Sequence, residues 1–275
     1  MGNGLLRAGV KKRLLMLLGL LAFSVAAPLL AASSASEQAL QEANAAYREA
    51  RYQDAYDGYQ RLLRSAGANG HLLYNLGNAA FRLNQTGRAI LHYEQARLLL
   101  PRDADLAANL AHAREQIRDV IPEPESFLNT AFFWLGSLTW PEIFWCFAAV
   151  NVLFWGLLAL RLFFRAEWTY YLLLLLLTVW LLGGVSFGLK WQQMKTDDRA
   201  VILQTEVNVL AGPDARDTVL FKLHEGAIVH VERSEDGWFL IRLLDGKRGW
   251  LRAEGAEKIA ALNPARSAAD ASRTA

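Results

Sequence analysis

The spacing of apolar and polar positions changes twice along the chain, and each change marks a different kind of element. In the first third, apolar residues recur at helical intervals, as in Leu73 and Leu76 or Leu106, Leu110 and Ile117, which predicts amphipathic helices. From Glu142 the polar positions almost vanish. Two apolar stretches, 142–164 and 168–189, are each long enough to cross ~30 Å of hydrocarbon at ~1.5 Å per residue. The run from Tyr171 to Leu182 is apolar around its whole circumference, unlike a helix with one wet face. From Ala200 the period becomes two, in Val201–Leu203, Val207–Leu210, Ile228–Glu232, Trp238–Leu243 and Gly249–Leu251, with turn residues at Gly212-Pro213-Asp214, Glu225-Gly226, Asp236-Gly237 and Asp245-Gly246. Short strands at this spacing over 200–259 predict a small all-β barrel or sandwich.

The amino-terminal segment and the apolar pair together suggest a topology. Arg7, Lys11, Lys12 and Arg13 precede an apolar run and then a small-residue stretch ending at Ser36, so residues 1–35 read as an export signal, either cleaved between Ala32 and Ala35 or retained as an uncleaved anchor. Trp140, Trp145, Trp168, Tyr170, Tyr171 and Trp191 collect near the ends of the two spans, where amphipathic rings sit at headgroup level. Arg161 and Arg165 flank the short turn 165–167, and positive charge favours the cytoplasmic side. Both flanking segments then face outward, in agreement with the export signal. The expectation is a bacterial inner-membrane protein with two periplasmic soluble parts, an interfacial linker at 120–141 and a disordered tail at 260–275. Gly184 and Gly188 form a small-xxx-small pair that lets another helix approach.

The helical segment repeats itself. Ala43-Asn-Ala-Ala-Tyr-Arg48 returns as Gly77-Asn-Ala-Ala-Phe-Arg82, a shift of 34 residues that also pairs Ala55 with Ala89 and Tyr59 with Tyr93. With Leu73, Leu76, Gly77, Ala89, Tyr93, Ala96 and Pro101, the second copy resembles the tetratricopeptide repeat. The first departs from that pattern at Glu42, Ala43 and Gly67. Asp103 to Asp119 reads as one further helix capping a tetratricopeptide segment over 37–119. The resemblance implies a protein-binding groove lined by Asn44, Tyr47, Arg48, Asn78, Phe81, Arg82 and His112. The carboxylate clamp of some family members also uses a lysine where Leu40 stands here.

In the β segment, the order Val207-Asn208-Val209, Gly212-Pro213, Gly226, Gly237-Trp238, Asp245-Gly246 and Gly249-Trp250-Leu251 resembles the bacterial SH3 domain. Some members of that family bind cell-wall peptide, which makes Trp238 and Trp250 the candidate ligand face. Each follows a glycine at a strand start, so their expected main role is packing.

Composition narrows the chemistry. Of 275 residues 53% are hydrophobic and 20% charged, with a net charge of +2, which gives no basic footprint for nucleic acid. The lone Cys146 excludes an internal disulfide and a thiolate zinc site. His71, His92, His112, His224 and His230 follow no ligand spacing and no GxSxG elbow is present, so no catalytic residue, metal or cofactor is expected and the chain reads as non-enzymatic. The order of export signal, repeats, membrane hairpin and SH3 domain, with the phrase from His92 to Asp105, resembles the BatE family of the Bacteroides aerotolerance operon. That resemblance implies a membrane-anchored interaction scaffold in the bilayer, working beside von Willebrand A-domain membrane proteins and a MoxR-type ATPase. Two alternatives are a peptidoglycan-binding envelope sensor, in which the SH3-like domain holds cell-wall peptide, and an accessory of a wall hydrolase.

Overall fold

The structure is a computed structural model that describes residues 36–119, 130–163 and 166–262. The expected export signal, the turn residue Arg165, residues 120–129 of the expected linker and the tail from 263 lie outside the described residues. The chain divides into two units, Met1–Gly67 and Ala68–Ala275.

In the first unit, helix α1 (36–48) and helix α2 (Tyr52–Ala66) are joined through Ala50, whose φ of 59° reverses the chain. Arg51 N–H donates to Ala46 O at 2.9 Å to close the turn. Ala43, Ala46, Ala55 and Tyr59 are buried between the helices. In the second unit, α3 (Gly70–Arg82) and α4 (Thr86–Leu99) repeat this construction 34 residues later. Asn84 takes φ 58°, and Gln85 N–H donates to Ala80 O at 3.0 Å. The sequence period is thus also a period of backbone conformation. Asparagine tolerates the left-handed region through its short polar side chain, whereas Ala50 is held there by the turn it closes.

Close packing explains how the two copies differ. A Cβ on Gly77 would stand 2.5 Å from the Tyr93 ring, so that position requires glycine. The first copy carries Ala43 there and instead places glycine on the opposite helix, where a Cβ on Gly58 would meet Ala43 Cβ at 2.9 Å. Either arrangement leaves room for one side chain only at the crossing.

Helix α5 (Ala104–Arg114) begins at Asp103, whose carboxylate accepts from Leu106 N–H at 2.9 Å. Leu106 and Leu110 are buried, but the helix stops at Arg114, short of the expected Asp119. Ile117 therefore leaves the helical face assigned to it and packs on Gly226 of the β segment.

The two apolar stretches form helices Trp140–Phe163 and Glu167–Thr196, with mean hydropathies of 2.1 and 2.3 over the candidate spans Trp140–Arg161 and Glu167–Thr196. They pack side by side. Trp140 meets Trp191 at 5.3 Å and Phe187 at 4.8 Å at one end, while the Arg161 guanidinium lies 5.2 Å above the Tyr170 ring at the other. The close approach falls at Gly183, where a Cβ would stand 3.1 Å from Phe147; Gly184 is looser at 3.7 Å and Gly188 faces open space. The second helix runs seven residues beyond the expected end at Leu189. Lys190 to Thr196 contain no helix breaker, and Lys190 Nζ donates to Leu135 O at 2.6 Å. Only Asp197 and Asp198 separate it from the first strand.

Seven antiparallel strands follow: β1 (Arg199–Ile202), β2 (Glu206–Leu210), β3 (Val219–His224), β4 (Ile228–Glu235), β5 (Trp238–Arg242), β6 (Arg248–Arg252) and β7 (Ala256–Lys258), in the order β3-β2-β6-β5-β4-β1-β7. All seven contribute to one core, including Ile202, Val209, Leu223, Val229, Ile241, Leu251 and Ala256, so the sheet wraps around it. The β4–β5 turn uses Asp236 and Gly237, both at positive φ as a tight hairpin requires.

Candidate functional site

The residues expected to line a groove fall in both units, Asn44, Tyr47 and Arg48 in the first and Asn78, Phe81, Arg82 and His112 in the second. In the first, Asn44 Oδ1 accepts from the Tyr59 hydroxyl at 2.7 Å, Tyr47 packs edge-on against Tyr52 at 5.3 Å, and Arg48 is exposed. Burial pushes the Tyr59 hydroxyl up to about 12, so it remains a neutral donor.

In the second, Asn78 Oδ1 accepts from the Tyr93 hydroxyl at 2.8 Å and from Asn109 Nδ2 at 3.0 Å, and Asn109 also donates to Tyr74 at 2.9 Å. The asparagines after the repeat alanine and glycine thus hold tyrosines of the neighbouring helix. The carbonyl oxygens of Asn44 and Asn78 are engaged inside the fold. Phe81 and His112 meet at 5.5 Å across α3 and α5, and Arg82 and His112 are exposed beside them. His112 Nδ1 lies 3.2 Å from Glu115. Of the expected groove residues in this unit, Arg82 and His112 are exposed and Phe81 is partly exposed.

On the β segment, Trp238, Leu240 and Arg242 of β5 stand opposite Arg252, Trp250 and Arg248 of β6. The intervening Ile241 and Leu251 enter the core, so the two tryptophans share the outward face. Both are partly exposed, and the buried core does not include them. The Arg252 guanidinium lies 5.0 Å above the Trp238 ring, and Glu232 accepts from Arg242 at 2.9 Å and Arg248 at 3.0 Å. The result is an aromatic strip edged with ion-paired arginines.

Between α4, α5 and β1 lies a charged junction that the sequence did not announce. Glu94 is fully buried and meets Arg97 at 2.7 Å, Arg114, and Arg199 of β1 at 3.5 Å. Nearby, Gly87 N–H in the first turn of α4 donates to Glu225 at 2.7 Å, where the helix dipole favours a carboxylate. Asp119 accepts from the His224 backbone N–H at 2.7 Å and sits 3.1 Å from its ring. Gly226, at φ +86°, leaves the space that Ile117 and Ile90 occupy. Elsewhere on α4, the buried His92 bonds Gln95 at 3.1 Å, and burial lowers its imidazole to about 4. The contacts of Glu94, Gly87, Asp119 and Ile117 fasten α4, α5 and the segment after α5 to β1 and to the end of β3 and the turn that follows it. Among the described residues, no three His, Cys, Asp or Glu side chains gather to hold a metal ion.

Residues 204–255 match the family model of the bacterial SH3 domain. The matched segment spans β2 to β6 and includes both tryptophans; β1 and β7, which pair with each other, flank it. No curated protein matches the chain significantly.

Proposed function

We propose that this protein is a non-enzymatic, membrane-anchored scaffold in which a tetratricopeptide-type helical segment recruits a protein partner and the SH3-like domain is fixed beside it. The observation that carries the reading is the junction at Glu94. It joins α4 and α5 to β1, three residues after the second apolar helix, so recognition surface and membrane anchor form one body. The repeated backbone turn at Ala50 and Asn84 and the repeated tyrosine-to-asparagine hydrogen bond support the tetratricopeptide assignment. Phe81, Arg82 and His112 offer an aromatic and cationic surface of the kind that anchors peptides.

The resemblance to the BatE family supplies the partner class: von Willebrand A-domain membrane proteins working with a MoxR-type ATPase. In this reading the chain lies in a bacterial inner membrane with both soluble parts periplasmic. A phosphatase that works only outside the cytoplasm is then active when fused after Leu262 and silent at Arg165, and the reverse pattern refutes the orientation. A second reading, a peptidoglycan-binding sensor, is favoured by the shared outward face of Trp238 and Trp250.

One titration separates the two. The full chain in lipid nanodiscs is titrated with a purified A-domain protein and with soluble wall peptide. Under the scaffold reading the A-domain protein binds and Arg82→Glu abolishes binding. Saturable wall-peptide binding lost in Trp238→Ala, with no A-domain binding, selects the sensor.

A further inference from the structure

Near the middle of the first apolar helix stands one strongly polar side chain, Asn151, about eleven residues from either end of the span Trp140–Arg161. It is partly exposed, and no hydrogen bond joins its amide to any other described residue. On the hairpin side it lies one turn from Phe147 and Phe154, the two rings that pack on Trp180 at 6.3 and 5.7 Å. The Trp180 indole N–H is itself buried without an acceptor. On the other side Asn151 is flanked by the small Ala148 and by Trp155, which is 54% exposed. The midplane therefore carries polar groups whose bonding capacity the hairpin does not fill.

In hydrocarbon such an amide has no water to turn to, and polar side chains of this type act between membrane helices. We infer that Asn151 pairs the first apolar helix with that of a second copy of this chain inside the bilayer. A carboxamide carries both donors and acceptors, so two copies related by a two-fold axis satisfy each other with no further polar group. An unrelated helix would need its own polar residue at the same depth. Pairing through the first helix leaves the junction at Glu94 untouched, so each copy keeps its recognition surface and the assembly becomes bivalent. This inference rests on the reading of the hairpin as membrane-embedded.

The test uses the full chain, labelled with donor or acceptor dye at its carboxyl end and reconstituted in phosphatidylcholine vesicles, with insertion scored by resistance to alkaline extraction. Energy transfer should rise with the protein-to-lipid ratio. In inserted Asn151→Leu the half-point should move to about 3- to 30-fold higher density, and Asn151→Gln should restore it. Transfer no greater than random proximity in inserted wild type, or an unchanged half-point in inserted Asn151→Leu, overturns the pairing. Extraction of the wild type by alkali would instead remove the membrane reading, and the pairing with it.

Discussion

Replacing Glu94 by glutamine keeps the shape of the side chain and removes its charge from the centre of three guanidinium groups. Glu94 is 0% exposed, while Arg97, Arg114 and Arg199 retain 38%, 34% and 19% of their side-chain surface. Breaking a fully buried pair costs about 3 to 5 kcal/mol. Here the two most exposed arginines recover water and the glutamine carbonyl still accepts one bond, which reduces the expected loss to about 2 to 3 kcal/mol. For a structure of this size that corresponds to a fall of roughly 4 to 12 °C in thermal midpoint. The assay is thermal unfolding of the detergent-solubilised full chain. Limited proteolysis should then cut first between α5 and β1, because the junction opens before the β core. A midpoint within about 2 °C of wild type, with the wild-type cleavage pattern, would refute the junction as the element joining the helices to the β segment.

Asn78→Ala should cost about 1 to 3 kcal/mol by removing the acceptor shared by the Tyr93 hydroxyl and Asn109 Nδ2, and should cost less in a Tyr93→Phe background; additive losses in a thermal double-mutant cycle would contradict the Tyr93 bond. His92 is held neutral in the fold at about 4 against an ordinary 6.5, so the unfolded chain binds the extra proton. Its contribution is complete above pH 6.5 and is lost as pH falls toward 4, by about 2 to 4 kcal/mol in all, so the thermal midpoint of His92→Gln should fall less over that window than that of wild type. Trp238→Ala should cost only about 1 to 2 kcal/mol, since the ring lies outside the core and loses partial burial and its contact with Arg252; complete unfolding of the β segment, seen by circular dichroism, would place that ring in the core after all.

What could be read from the sequence was local. The strands β2, β4, β5 and β6 alternate clearly or follow turn residues, and the 34-residue shift fixed both helical hairpins because the same turn and the same tyrosine recur. Strand β3 escaped because Val219-Leu220-Phe221 does not alternate: it pairs with β2 alone, and Val219 and Leu220 remain 46% and 51% exposed. The expected face carrying Ile117 failed because its partner, Gly226, is over a hundred residues away. The Glu94 junction was illegible for the same reason. Arg199 lies 105 residues from Glu94, and a lone glutamate on a helix reads as a solvated face until the strand that covers it is in place. Of the residues expected to line a groove, Asn44 and Asn78 have carbonyl oxygens that accept from Tyr59 and Tyr93, fifteen residues away, a pairing that sequence spacing alone does not bring into reach.

The proposed scaffold function requires that Phe81, Arg82 and His112 form a protein-recognition surface held at the membrane by the Glu94 junction. A photo-crosslinking amino acid at position 82 of the full chain, activated in intact cells, tests this most directly. The expected product is a covalent adduct with a membrane protein carrying a von Willebrand A domain, lost when Phe81 and His112 are changed to alanine in a folded variant. Absence of any protein adduct from position 82, together with wall-peptide adducts from the same probe at position 238, would contradict the scaffold and assign recognition to the tryptophan face.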